Sequence, residues 1–254
     1  FNEMKGAMSS PNSQLWQHLH SSLFPDTNYR FNSGGDPIEI PNLTYAQLKS
    51  FHEKYYSPAN AVFLTYGDLP HEKHQERFEN LVLKEFKSST EVAKIKFQAT
   101  FDKPSKTDRL YYQSSMDGCS DFVLWAWVSG SVTDPLEVVE MSLVTDILLG
   151  HSGSPLQGYL ESIKESKSIS ELSGVDDSSR QLIFACGLEG VSANEKKIDM
   201  FEKKIFEILH SLIETPPSIE TLTASLDRLE LDQSDLGAGN YPLGLQLFGR
   251  ILPS

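Results

Sequence analysis

The spacing of apolar residues divides the chain into elements. Leu15, Trp16, Leu19 and Leu23 recur at helical intervals and predict a helix over 12–22, stopped by Pro25-Asp26. Thr44 with Gln47 has the form of a capping box, and Leu43 with Leu48 that of a hydrophobic staple. Leu48, Phe51 and Tyr55 are then the expected buried face of a second helix. Ser57-Pro58 ends it, because the residue before proline disfavours helical angles. Ala61-Val62-Phe63-Leu64-Thr65-Tyr66 is dense in β-formers and predicts a central strand. After Gly67-Asp68, Phe78, Leu81 and Val82 supply an inward face for a helix running to Phe86.

From Lys87 to Asp108 the periodicity fades, with Val92 to Phe101 a candidate strand. Beyond it, Leu110-Tyr111-Tyr112 and Phe122 to Val128 are predicted strands about an Asp117-Gly118 turn. Asp134-Pro135 opens a helix carried by Val138, Val139, Leu143, Ile147 and Leu148 to Gly150. Ser154-Pro155 opens another, with Leu156, Tyr159, Leu160 and Ile163 inward. Ile169 to Val175 and Gln181 to Leu188 are predicted strands, joined through Asp176-Asp177. Ser192 and Glu195 form a capping box for a helix marked by Ile198, Phe201, Ile205, Ile208 and Leu212. Pro216-Pro217 breaks it, Leu222, Leu226 and Leu229 mark one more helix, and Gly237 to Pro242 form a loop. Paired strands followed by paired helices predict an α+β fold: mainly antiparallel sheets with helices packed on one face. The expected division is residues 1–87, a connection over 88–108, and a second unit over 109–254.

Composition narrows the function classes. With 254 residues and 39% apolar content the chain can bury a sizeable core. No apolar run approaches the roughly 20 residues of a membrane helix. A net charge of -13 argues against nucleic acid as a partner; it keeps a surface soluble and attracts basic peptides. The two cysteines, Cys119 and Cys186, lie in apolar stretches and are expected to be buried free thiols, with a disulfide between them left open.

No complete catalytic constellation is visible. His71-Glu72-Lys73-His74 puts two rings on one helix face, but zincin motifs space their histidines by four, and this polar segment suits an exposed first turn. His18 and His20 diverge on a helix. Neither Gly34-Gly35 nor Gly237-x-Gly239 has the strand and helix of a nucleotide loop, and no serine-hydrolase elbow is present. Trp125 and Trp127 fall on one strand face, as core packing would have them. Glu3, taken alone, is a solvated carboxylate.

Phe1-Asn2-Glu3-Met4-Lys5-Gly6 resembles the stretch that follows the zinc motif in presequence proteases, inverzincin metallopeptidases related to insulin-degrading enzyme and pitrilysin. Ser33-Gly34-Gly35-Asp36-Pro37, Ile40-Pro41-Asn42-Leu43-Thr44, Phe51-His52, Tyr55-Tyr56-Ser57-Pro58-Ala59-Asn60-Ala61 and Tyr66-Gly67-Asp68 resemble that family in the same order. Leu149-Gly150, Ser154-Pro155-Leu156, Gly174-Val175 and the segment from Gly239 to Leu245 resemble its second domain. The likeness spans essentially the whole chain and is most specific in its first 70 residues.

The resemblance implies two similar metallopeptidase-type domains, the first partial, with residues 1–87 its C-terminal part. It implies one zinc ion, held by two histidines of an inverted His-x-x-Glu-His motif and a downstream glutamate that falls by position on Glu3. Zinc takes such nitrogens and a carboxylate oxygen and keeps a fourth site for water, which the motif's own glutamate deprotonates. None of the seven histidines here, at 18, 20, 52, 71, 74, 151 and 210, belongs to that motif, so this sequence names no catalytic residue. With Phe rather than Met at its start, the chain is expected to be an inactive internal fragment. The implied parent is a monomeric endopeptidase that encloses unstructured peptides, organelle targeting peptides among them. Such peptides are Arg-rich and acid-poor. Its compartment would be the mitochondrial matrix or a plastid in a eukaryote, the cytoplasm in a bacterium. The competing expectation is a non-catalytic relative whose fold serves as scaffold or peptide-binding subunit.

Overall fold

A computed structural model of the chain describes residues 1–86, 95–103, 109–111, 121–192, 194–234 and 242–252. The central feature is a pair of long strands, β1 (Asp121–Ser131) and β4 (Gln181–Val191), running antiparallel. Directly opposed residues of such a pair share a face. Val123 lies opposite Leu188, Trp125 opposite Cys186 and Trp127 opposite Phe184, so one face is built from large side chains. Gly187 lies opposite Leu124, and a Cβ there would meet the Val123 carbonyl at 2.4 Å, so this close approach requires glycine.

Helices close over that face. α5 (Pro135–Leu149), α6 (Pro155–Glu161) and α7 (Glu195–Glu214) contribute Leu148, Leu156, Leu160, Phe201 and Ile205 to one core with Phe184, Cys186 and Leu188. Each fully buried Leu or Ile stabilises the fold by about 1.5–3 kcal/mol. Both tryptophans pack on α7 as expected: Trp125 Nε1 donates to Glu202 Oε2 at 3.3 Å, and Phe206 meets the Trp127 ring edge-on. α8 (Ile219–Ser234) is tied to α5 by Arg228 and Asp146 at 2.7 Å. Cys186 is a buried free thiol, its pKa pushed up to about 12 by desolvation, while Cys119 lies outside the described residues.

Several boundaries differ from expectation. Ile169 to Val175 is two short strands, β2 (Ser168–Ile169) and β3 (Gly174–Asp176), both paired with β4. Between them Ser173 Oγ accepts the Gly187 N–H, and Gly174 takes a positive φ of 132°. The cap of α7 is Asn194, whose side chain accepts from Lys197 N; Ser192 instead continues the sheet edge by donating to the Glu165 carbonyl. α9 (Leu243–Ile251) lies where no element was expected. The expected hairpin partner of β1 and its Asp117-Gly118 turn lie largely outside the described residues, as do most of 88–108 and the Gly237 to Tyr241 loop.

The first third of the chain divides in two. α2 (Pro11–Leu23) and the turn Asn28–Arg30 pack against the sheet: the Arg180 N–H donates to Tyr29 Oη, and Gln98 bridges Asp26 to Gln181. α3 (Tyr45–Tyr55) forms with the expected capping box, Thr44 and Gln47 exchanging bonds. Its expected buried face is open, however: Leu48 is 63% and Phe51 55% exposed. Ala61 to Tyr66 is extended, but no strand among the described residues pairs with it, and Val62 is 68% exposed. A strand exists only beside a neighbour, and β-forming composition cannot supply one. The same holds for α4 (His71–Leu81), where Phe78 meets Phe63 in a tilted ring contact while Leu81 and Val82 are exposed.

Candidate functional site

Glu3 sits in the first turn of α1 (Asn2–Ala7), a six-residue helix with no side-chain cap. So short a helix is not stable by itself. Contacts from the Asn32 to Gly35 turn hold it. Asn32 Nδ2 reaches Met8 Sδ at 3.6 Å, and its Oδ1 accepts from Gly34 N at 2.9 Å. A Cβ on Gly34 would fall 2.2 Å from Met4 Sδ, so the glycine leaves room for that thioether. Gln14 Nε2 donates to the Met8 carbonyl at 2.9 Å and joins α1 to α2. Met4 and Met8 are thus half-buried, and Glu3, the residue before Met4, is exposed.

Among the described residues no three His, Cys, Asp or Glu side chains come close enough to hold a metal ion. Zinc needs about four ligands, so one exposed carboxylate does not make a zinc site. The histidines are engaged elsewhere. His71 pairs with Glu72 at 2.9 Å, His74 lies beside Phe78, and His52 stacks on Tyr56. His151 Nδ1 accepts from Gly153 N, and His210 is exposed on α7. The His71 to His74 segment is therefore the exposed helix start that its polarity indicated.

Sequence spacing treats His18 and His20 alike, but His20 is the buried one, 9% exposed. Its ring lies 4.3 Å from Trp16 and 5.6 Å from Phe24, and Phe24 meets Tyr29. Burial lowers its pKa, against the opposing pull of Asp176 and a hydrogen bond at the Tyr29 backbone. Nε2 has no hydrogen-bond partner among the described residues. The signal was in the sequence: Trp16, His20 and Phe24 recur every four residues, which stacks them on one helix face.

Beside this ladder lies a cleft of about 430 Å³ between α2 and the sheet. Asn12 and Trp16 border it from α2, Glu171 and Asp176 from around β3, and Ile183 and Ala185 from β4. Asn12 Nδ2 donates to Glu171 Oε2 at 3.1 Å across its two walls. Among the described residues no helix is long and apolar enough to cross a membrane.

Comparison with known proteins agrees with this arrangement. The family described as the peptidase M16 inactive domain matches residues 42–229. Protein HypA of Clostridium perfringens is 30% identical over the whole chain. The mitochondrial presequence protease of Danio rerio is 33% identical over 91% of the chain, and presequence protease 1 (chloroplastic/mitochondrial) of Arabidopsis thaliana 32% over 97%. The chain spans about a quarter of the length of these relatives: 26%, 23% and 23%. In fold it is similar to a crystal structure of a peptidase M16 inactive domain from Pseudomonas fluorescens. The TM-score is 0.63 at 19% identity, over 91% of this chain and 53% of that one. The mixed helical and antiparallel architecture and the match over 42–229 agree, and the chain belongs to the peptidase M16 family through the part described as its inactive domain.

Proposed function

We propose that this chain is a segment of a zinc endopeptidase that degrades unstructured, basic peptides such as organelle targeting peptides. On this reading residues 1–87 end the catalytic domain, 88–108 connect, and 109–254 form the second, non-catalytic domain. Glu3 gives the parent's zinc one carboxylate oxygen, and the remaining ligands and the general base come from residues beyond this chain. The observation that carries the reading is identity of 30–33% to presequence proteases and to HypA along nearly the full chain. The exposed position of Glu3, held by Met4, Met8 and the Asn32 to Gly35 turn, supports it. In a eukaryote the parent would work in the mitochondrial matrix or a plastid, in a bacterium in the cytoplasm.

The test is zinc content and cleavage of a quenched basic peptide by the full-length polypeptide, beside its Glu3→Gln variant. Loss of a direct ligand is expected to lower both by at least about 100-fold, the upper end of what changes one shell further out cost. Unchanged zinc and activity would remove Glu3 from the ligand set. The 254-residue chain alone is expected to bind no stoichiometric zinc. The second reading, a non-catalytic peptide-binding scaffold, draws on the family description as an inactive domain. A full-length polypeptide without zinc but still holding basic peptides would favour it.

A further inference from the structure

The cleft between α2 and the sheet combines features that no packing role explains. Its floor is apolar and buried, with Ile183 and Ala185 1% and 2% exposed. One wall is the half-buried indole of Trp16. Two carboxylates, Glu171 and Asp176, stand on the other side. Asp176 Oδ1 accepts from Ser178, while Oδ2 has no hydrogen-bond partner among the described residues. No lysine or arginine lines the cleft to neutralise them. Next to Trp16 lies His20, nine-tenths buried, with Nε2 unpartnered among the described residues and Asp176 near enough to act on its charge.

An apolar floor, an aromatic wall and carboxylates that no lining lysine or arginine neutralises together recognise one chemistry: a long side chain with an apolar stem and a cationic head. The stem packs along the half-buried Trp16 ring that covers the floor, the cation lies against the indole face, and the carboxylates accept its N–H groups. Arginine fits better than lysine, because its planar guanidinium both stacks on an indole and bonds a carboxylate through two N–H groups. The volume lies within the range of roughly 300–1,000 Å³ that holds small ligands. The surplus of acids over bases in the chain, 35 against 22, draws such a cation toward it.

We propose that this cleft is a binding subsite for an arginine side chain of an extended peptide, with Trp16, Asp176 and Glu171 as the residues that recognise it. Glu171 is released from Asn12 as the cation enters, so that bond acts as a latch across the mouth. The proposal does not depend on peptide cleavage: the subsite either holds the cation or does not, whatever happens to the peptide bond.

The experiment titrates the full chain with N-acetyl-arginine amide, following the Trp16 indole and His20 imidazole signals by NMR. N-acetyl-norleucine amide, which has an apolar side chain without charge, is the comparison. Saturable binding is expected, at least tenfold tighter for the arginine derivative. Asp176→Asn and Glu171→Gln should each weaken it at least threefold; Glu171 is exposed, so its variant leaves the fold intact. Glu207→Gln, on the exposed side of α7, should leave it unchanged. Saturation should also shift the His20 titration to lower pH, because the bound cation cancels the field of Asp176. Equal binding of the two amides would make the cleft merely apolar. Arginine binding that ignores both cleft variants, or falls equally with Glu207→Gln, would show diffuse charge attraction. Either result overturns the proposal.

Discussion

At the scale of single residues, His20 departs most from what its surroundings in sequence suggest. Its neighbour His18, two positions away, shares the same helix, but only His20 stands between Trp16 and Phe24 with Asp176 beyond. Burial holds it below its ordinary value of 6.5. As pH falls, the unfolded chain therefore takes up this proton before the folded chain does. Stability from the neutral imidazole is complete above 6.5 and declines as pH drops through that value toward the folded one. Glu165, beside Lys197, and Glu195, beside Arg109, shift downward instead, so their contribution is lost only below the carboxylate value of 4.5. The two windows are separate. The urea midpoint of the chain is expected to fall between pH 7.5 and pH 5.5, and the fall should be much smaller in His20→Gln. An equal fall in both would assign the proton to another group.

At the scale of elements, the same kind of residue has opposite value in different parts of the chain. Leu156 is fully buried under the sheet, and Leu156→Ala is expected to cost about 2–5 kcal/mol. Leu48, on an equally well-formed helix, is 63% exposed, and Leu48→Ala should stay within about 0.5 kcal/mol. Thr44→Ala removes the α3 cap and should cost about 1 kcal/mol locally, seen as faster amide exchange at Gln47 and Leu48. Urea unfolding of the first two variants would expose an error if their costs were alike. This contrast also marks what the sequence made legible. Helix ends were readable because caps act through local bonds: Thr44 with Gln47, Asp134 with Leu136, Pro155 in a first turn. The long strands β1 and β4 were readable because both faces of β4 are buried and its composition shows it. The placement of Asn194 over Ser192 was not, since the Ser192 bond to Glu165 is a tertiary event. The absence of a pairing strand for Ala61 to Tyr66 among the described residues and the approach of His20 to Asp176 likewise depend on which distant residues arrive. Of the candidate site, the sequence supplied Glu3 by resemblance and missed the cleft, whose walls are some 160 residues apart, as with Asn12 and Glu171.

At the scale of the whole molecule, the distribution of exposed apolar surface sets residues 31–86 apart. Leu48, Phe51, Val62, Phe63, Leu64 and Tyr66 are all exposed there, whereas α6 buries Leu156 and Leu160 and α7 buries Phe201 and Ile205 against the sheet. Monomeric proteins rarely leave contiguous apolar patches beyond a few hundred Å², and a β-forming segment that no strand among the described residues pairs with adds a pairing edge. The relatives are about four times as long as the stretch matched here, so their chains hold material enough to cover such a face. On the division proposed above, that cover is the remainder of the catalytic domain within the same polypeptide. The triple variant Leu48→Ser, Phe51→Ser, Val62→Ser then has two opposite effects. In the 254-residue chain it should reduce binding of an apolar-surface dye and leave the urea midpoint of the β1–β4 core unchanged, because those side chains contribute no burial there. In the full-length polypeptide the same three changes should destabilise the catalytic domain by more than about 4 kcal/mol, as loss of several buried side chains does. Dye binding that persists in the short variant would place the apolar surface elsewhere. A full-length protein indifferent to the three serines would mean that nothing in the parent covers this face, and residues 31–86 would then be an outer docking surface rather than half of a domain.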